Sequence, residues 1–237
     1  MRMLKIAAAV CGAALVAGLG IGSTASAETS TPNIIGGGSA PTVGWGAQIL
    51  WNNVTTYGGF ECSGTIIAPQ WVLTAQHCLN SAGIHVKVGS NKLGQGTDVP
   101  VDRQLASPRG DISLLHLTRA VSTTYMKLGN GDPATGSTNQ IYGWGRTLNS
   151  SPPSPVLKTA NVRVTGSSSD AFGGRAIASV GINGAAWHGD SGGPELSNGV
   201  QVGVCSTGSN SGSNPQGSQN YASVANSRAW IKSTSGV

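Results

Sequence analysis

The chain has 237 residues, 36 of them glycine, with 10% charged and 5% aromatic side chains and a formal charge of +5. So few Glu, Lys and Arg exclude a coiled coil, and an apolar fraction of 38% excludes a charge-solvated disordered chain. The cations are scattered, with no basic run of the kind that holds nucleic acid.

Arg2 and Lys5 precede Ile6–Ile21, a stretch of apolar residues, Gly and one Cys, and Ala25-Ser26-Ala27 follows with small residues where a signal peptidase reads. This pattern predicts a secretory signal peptide over residues 1–27. The apolar run is shorter than the ~20 residues that span a bilayer, and Cys11 lies inside it, not at its end where a lipid anchor would sit. Removal leaves Cys62, Cys78 and Cys205 in an exported chain, where a disulfide is permitted. The Ala-rich leader suggests a bacterial secreted protein.

Beyond it, short β-rich pieces recur at Gly46–Trp51, Gly64–Ile67, Trp71–Ala75, Ile84–Val88, Ile112–Leu117, Gln140–Trp144, Leu157–Val164 and Val200–Cys205, separated by Gly, Pro, Asn and Ser. Such spacing predicts an all-β barrel or sandwich. Only Ala222–Lys232 has a helical pattern, while Ser150–Pro155 and Thr207–Gly217 read as surface loops.

Three segments carry chemistry. In Trp187-His188-Gly189-Asp190-Ser191-Gly192-Gly193-Pro194 a serine sits between glycines, where a sharp turn can expose its hydroxyl and the N–H groups of Gly189 and Ser191 can converge on an oxyanion. Thr74-Ala75-Gln76-His77-Cys78 puts a histidine at a strand end beside a cysteine. Asp111 opens the apolar segment Ile112–Leu117. A serine hydroxyl is a poor nucleophile without a neutral imidazole to take its proton and an anion to fix that imidazole. Asp98 and Asp102 lack a following apolar strand and read as solvated loop carboxylates, and His85 and His116 as structural or surface residues.

With these segments in place, the chain resembles the trypsin/chymotrypsin family of serine endopeptidases. The resemblance rests on Ile34-Ile35-Gly36-Gly37, Cys62–Ile67, Thr74–Cys78, Asp111–Leu117, Gly143-Trp144-Gly145, Gly189–Pro194 and Tyr221 through Trp230-Ile231, in family order from Ile34 onward. It implies an all-β fold of two packed six-stranded antiparallel β-barrels with a short C-terminal helix and the active site between the barrels, over residues 34–237. Ser191 is then the nucleophile, His77 the general base and acid, Asp111 the residue that orients the imidazolium, and the N–H groups of Gly189 and Ser191 the oxyanion hole. Residues 28–33 become a short pro-segment. A cut after Asn33 would free an ammonium at Ile34 to pair with Asp190, although relatives are mostly cut after Arg or Lys.

The resemblance also implies a Cys62–Cys78 disulfide beside His77. Trp187 and His188 replace the Cys and Gln of many relatives, which leaves Cys205 as a buried free thiol. No metal-ligand spacing is present, Gly89–Val101 lacks the paired Glu of calcium-binding relatives, and no cofactor is implied. Ala185 falls at the floor of the primary pocket, where relatives specific for Lys or Arg carry Asp. Ser206, Thr207 and Gly208 form a pocket wall, Pro215–Gln219 the far wall, and His188 sits near the mouth. The expected preference is for a medium or large uncharged side chain, not Arg or Lys. Expected partners are protein or peptide substrates and proteinaceous inhibitors, with no nucleic acid, no membrane once the leader is gone, and a monomeric state. Two other readings share these residues: a catalytically silent binding protein, and an esterase using the same triad.

Overall fold

A computed structural model describes residues 34–237; the leader, the pro-segment and Cys11 lie outside the described residues. The N-terminal barrel comprises β1 (Gly46–Trp51), β2 (Phe60–Ala68), β3 (Trp71–Thr74), β4 (Ile84–Val88), β5 (Thr97–Ala106) and β6 (Ser113–Leu117). Its circular order is β1-β2-β3-β6-β5-β4. The second barrel comprises β7 (Thr138–Gly143), β8 (Lys158–Ser169), β9 (Arg175–Gly181), β10 (Pro194–Ser197), β11 (Val200–Ser209) and β12 (Ser218–Ser223), in the order β7-β8-β9-β12-β11-β10, with β10 returning to β7. The circular order is the same in both halves, and every strand pair is antiparallel. Closure removes the exposed edges that an open sheet of this kind would present.

Two-residue periodicity fills the barrels. In β4, Ile84, Val86 and Val88 are buried while His85 and Lys87 reach the surface. In β8, Ala160, Val162 and Val164 point inward and meet Ile141 and Ile177 of the neighbouring strands. The chain enters through Ile35–Gly36, which pairs with Gly184–Ala185, and Gly38–Ser39, which pairs antiparallel with Lys158–Thr159 at the start of β8. It leaves through α1 (Val224–Ser235), capped by the Ser223 hydroxyl accepting from the Asn226 N–H and closed by Gly236 at φ 81°. No helix among the described residues is long and apolar enough to cross a membrane.

Several boundaries differ from the sequence reading. The helix begins two residues later than expected, because Ala222 pairs with Ala176 in the sheet and Ser223 is spent as the cap. The pocket-wall residues Thr207 and Gly208 belong to β11, not to a loop. Asp98 and Asp102 are exposed as expected but lie on β5, where Asp102 meets His116 at 2.6 Å. That hydrogen bond, followed by the His116 and Arg103 charges, holds the Asp102 carboxyl below its ordinary value. His85 Nδ1 faces the Asn52 amide oxygen at 2.9 Å.

Candidate active site

His77 sits on a single 3-10 turn, Gln76–Cys78, immediately after β3. A Cys62–Cys78 disulfide ties that turn to β2, and the Trp51 indole N–H donates to the Cys78 carbonyl at 2.9 Å. The Ala75 carbonyl just before the turn takes the Ser113 hydroxyl at 2.8 Å, so β6 holds the same backbone from the other side.

Asp111 leads into β6 and is fully buried. One carboxylate oxygen accepts the His77 backbone N–H at 3.0 Å; the other faces His77 Nδ1 at 2.7 Å and accepts the Ser206 hydroxyl at 2.7 Å. Burial pushes this carboxyl upward, but the His77 hydrogen bond and charge, the Ser206 hydroxyl and the His77 N–H together hold it below its ordinary value. An ionised carboxylate only accepts, so Nδ1 carries the ring proton and Nε2 is left as the basic nitrogen. Sequence reading placed Ser206 only on the pocket wall; its side chain is spent on Asp111, and the Ala171 N–H donates back to it at 3.0 Å.

Asp170 also escaped the sequence reading. Its Oδ2 accepts the Asp111 backbone N–H at 2.9 Å, while Oδ1 accepts from Phe172 and Gly174. Asp111 is therefore gripped at both its side chain and its backbone.

Ser191 lies on the loop between Ala185 and β10. Ser63 of β2 clamps this loop: its N–H donates to the Ser191 carbonyl at 2.8 Å, and its hydroxyl donates to the Gly189 carbonyl at 2.8 Å. Among the described residues neither the Gly189 nor the Ser191 N–H is spent on another carbonyl, so both remain free donors. Gly192 has φ 79° and packs so closely on Ser63 and Thr74 that a side chain there would strike their oxygens.

Ser191 and His77 line one cavity of about 500 Å³, bounded by Trp51 and Phe60 of the first barrel and by Arg146, His188 and Gly189. They also line a second cavity of about 300 Å³, walled by Ala186, Trp187, Cys205 and Ser206–Gly208. Ala185 is not among the residues bounding either one. Its backbone pairs with Ile35 and it is buried. His188 is exposed at the rim of both cavities. Cys205 is a buried free thiol, pushed far up by burial.

Asp190 is completely buried; its carboxylate accepts the Gly145 N–H at 2.7 Å and the Trp187 N–H at 2.9 Å. Burial raises it to about 7 despite these two bonds. Ile34 is buried in the second-barrel core. Cys62, His77 and Cys78 approach one another closely, but both sulfurs are consumed in the disulfide and offer no thiolate to a metal.

A family model described as trypsin matches residues 34–231. The chain is 33% identical over 226 residues to trypsin I-P1 of Gallus gallus, covering 85% of this chain and 88% of that protein. It is 32% identical over 228 residues to trypsin delta of Drosophila erecta, covering 82% and 86%. In fold it is similar to neuropsin, a serine protease expressed in the limbic system of mouse brain, with a TM-score of 0.72, 24% identity, and coverage of 84% of this chain and 98% of that one. With a double barrel, a buried Asp against a strand-end His and a Ser in a Gly-flanked loop already in view, these matches establish that the chain belongs to the trypsin family of serine endopeptidases.

Proposed function

We propose that the mature protein is a secreted endopeptidase that cuts peptide bonds through Ser191, His77 and Asp111 and does not require Arg or Lys before the cut. The observation that carries this reading is the 2.7 Å contact between His77 Nδ1 and a fully buried Asp111, on an imidazole that shares a cavity with Ser191.

Chemistry follows from that contact. Ser191 Oγ attacks the scissile carbonyl carbon while His77 Nε2 takes the hydroxyl proton. The Gly189 and Ser191 N–H groups receive the oxyanion, a contribution of about 10²–10³ in kcat per donor. The C–N bond then breaks as His77 returns the proton to the departing amine, leaving an acyl group on Ser191. Water attacks that ester, its proton passes to His77, the C–O bond breaks, and the proton returns to Ser191 Oγ. Throughout, Asp111 stays ionised and balances the imidazolium.

Maturation takes two cuts, one after Ala27 and one after Asn33. The second frees the Ile34 ammonium for Asp190. A buried carboxyl raised to about 7, with two N–H partners and, among the described residues, no cation paired with it, is the group such an ammonium would stabilise. The family match begins at Ile34, which supports the same boundary. No carboxylate lines the 300 Å³ cavity among the described residues, which supports selectivity against Arg and Lys. The enzyme acts as a monomer on protein or peptide substrates, and inhibitor proteins would fill the same cleft.

The test is N-terminal sequencing of the protein secreted from the full-length chain, with casein hydrolysis by that protein and by Ser191→Ala. The expected result is an active species starting at Ile34 and no casein cleavage by the variant. Full activity in a species starting at Glu28 would overturn the activation scheme, and ester turnover without casein cleavage would make the protein an esterase.

A further inference from the structure

Two cavities meet at Ser191. They share His77, His188 and Ser191, and their other lining residues are different, so they open on different sides of the serine hydroxyl. The 300 Å³ cavity carries the Ser206–Gly208 wall and, in the reading above, takes the side chain before the cut. That leaves the cavity of about 500 Å³ for the residues after it.

The larger cavity has two unlike walls. Trp51, Val54, Tyr57, Phe60 and Glu61 come from the end of β1, the connection that follows and the start of β2. Glu61 is the extra residue of a β-bulge: Phe60 stands opposite Leu50 and Cys62 opposite Ile49, with no partner for Glu61 between them. A bulge bends its strand and re-aims the side chains there. The Trp51 ring is anchored by its indole N–H bond to the Cys78 carbonyl. Arg146 comes from the second barrel's side, just after β7. Its backbone N–H donates to the His188 carbonyl at 2.8 Å, and its backbone is bridged to Pro153.

Glu61 and Arg146 are the two lining residues with a permanent charge, and both are half-buried. Neither makes an ion pair among the described residues. Opposite charges that line one cavity without pairing are each free to meet a charge on the substrate. Trp51 and Tyr57 share the wall of Glu61, and aromatic rings attract a cation and cover its alkyl stem. His77 and His188 line both cavities and do not distinguish the two sides of the cut.

We propose that this cavity selects substrates whose two residues after the cut carry opposite charges, Lys or Arg against Glu61 and the aromatic wall, Asp or Glu against Arg146. Successive side chains of an extended peptide point to opposite sides, so neighbouring residues face opposite barrels. One order of the two charges matches the walls and the reverse order opposes them. The inference rests on the endopeptidase reading above. A basic side chain is then admitted after the cut, although the cavity before the cut offers it no carboxylate.

The experiment compares kcat/KM for peptides with one uncharged residue before the cut and Lys-Glu, Glu-Lys or Ala-Ala after it, the cut bond being read by mass spectrometry. The enzyme is the one secreted from the full-length chain, with rates normalised to the sites titrated by a serine-directed organophosphate. One charged order is expected to be cut at least about 5-fold faster than Ala-Ala, and the reverse order no faster than Ala-Ala. In about 1 M NaCl, where charges are screened within roughly 3 Å, the two orders should converge. Glu61→Gln should remove the part of the gain due to Lys, Arg146→Gln the part due to Glu, and Glu61→Lys combined with Arg146→Glu should invert the ranking. Equal rates for the two orders, a difference undiminished by salt, or an unchanged ranking in the combined variant would overturn the proposal while leaving the endopeptidase reading intact. Failure of the wild type to titrate or to cleave any peptide would overturn both.

Discussion

Asp111 shows how little of the proposed active site is local in sequence. Its carboxylate is reached by His77, 34 residues upstream, and by Ser206, 95 residues downstream, and its backbone N–H by Asp170, 59 residues downstream. His77, Asp111 and Ser191 were legible because each sits in a short motif whose residue types the chemistry demands. Ser206 was legible only as pocket wall and Asp170 not at all, since a lone Ser or Asp does not signal a bond to Asp111 until the barrel brings it across. Ser63 is a similar case: one side chain bonded to a loop 126 residues away. In the proposed mechanism Asp170 acts through Asp111 and is a positioning residue. Asp170→Ala should lower kcat by up to about 10², the scale on which a misplaced catalytic group costs, with KM little changed. Asp170→Asn, which keeps an oxygen acceptor for the Asp111 N–H, should recover most of the rate. Equal kcat in wild type and Asp170→Ala, or a loss confined to KM, would remove Asp170 from that role.

Strands with apolar alternation were read to within a few residues, and β1 and β4 to the residue, because their buried faces are built from Ile, Val, Leu and Ala. Those missed, β5, β9, β10 and β12, have polar, short or broken patterns. β5 carries Asp98, Pro100, Asp102 and Arg103 and is mostly exposed, and β12 fills its inward positions with Gln219 and Tyr221. Sheet pairing, not intrinsic propensity, makes such segments strands. Two elements carry measurable consequences. Removing the Cys62–Cys78 bridge with a Cys62→Ser/Cys78→Ser double variant should cost roughly 3 kcal/mol in the chain-entropy account, read as a lower urea midpoint; an unchanged midpoint would show that the bridge adds nothing. On β10, Glu195 is fully buried with Oε1 bonded to Asn139 of β7 at 2.7 Å. Burial, only partly offset by Asn139, raises its carboxyl to about 7. In the unfolded chain the group ionises at its ordinary lower value, so the native state binds the extra proton in between. Stability from this group is present in acid and is lost as pH rises through about 7. Glu195→Gln should flatten that part of the decline in urea stability between pH 5 and 8. A variant with the same pH dependence as wild type would mean that Glu195 does not titrate in this window.

At the scale of the whole molecule, the repeated strand order places part of the proposed triad in each half. The first barrel provides His77 and Asp111 on the ends of β3 and β6, the second provides Ser191 on the loop before β10, and Ser63 of β2 joins them. Sparse charge and abundant glycine, at first only signs of a β-rich chain, match this use: closed barrels need tight turns, and the Gly-flanked Ser191 loop must pack against β2 without side chains in the way. The two-barrel architecture was legible through family motifs, whereas the contacts that hold Asp111 were not, because they depend on which side chains the barrels bring to it. The central claim is that a single serine carries the reaction, and labelling with a serine-directed organophosphate followed by peptide mapping tests it most directly. The account predicts one phosphoryl adduct per chain, on Ser191, with casein cleavage lost in proportion to labelling. Labelling at another residue, or casein cleavage that survives complete modification of Ser191, would contradict it.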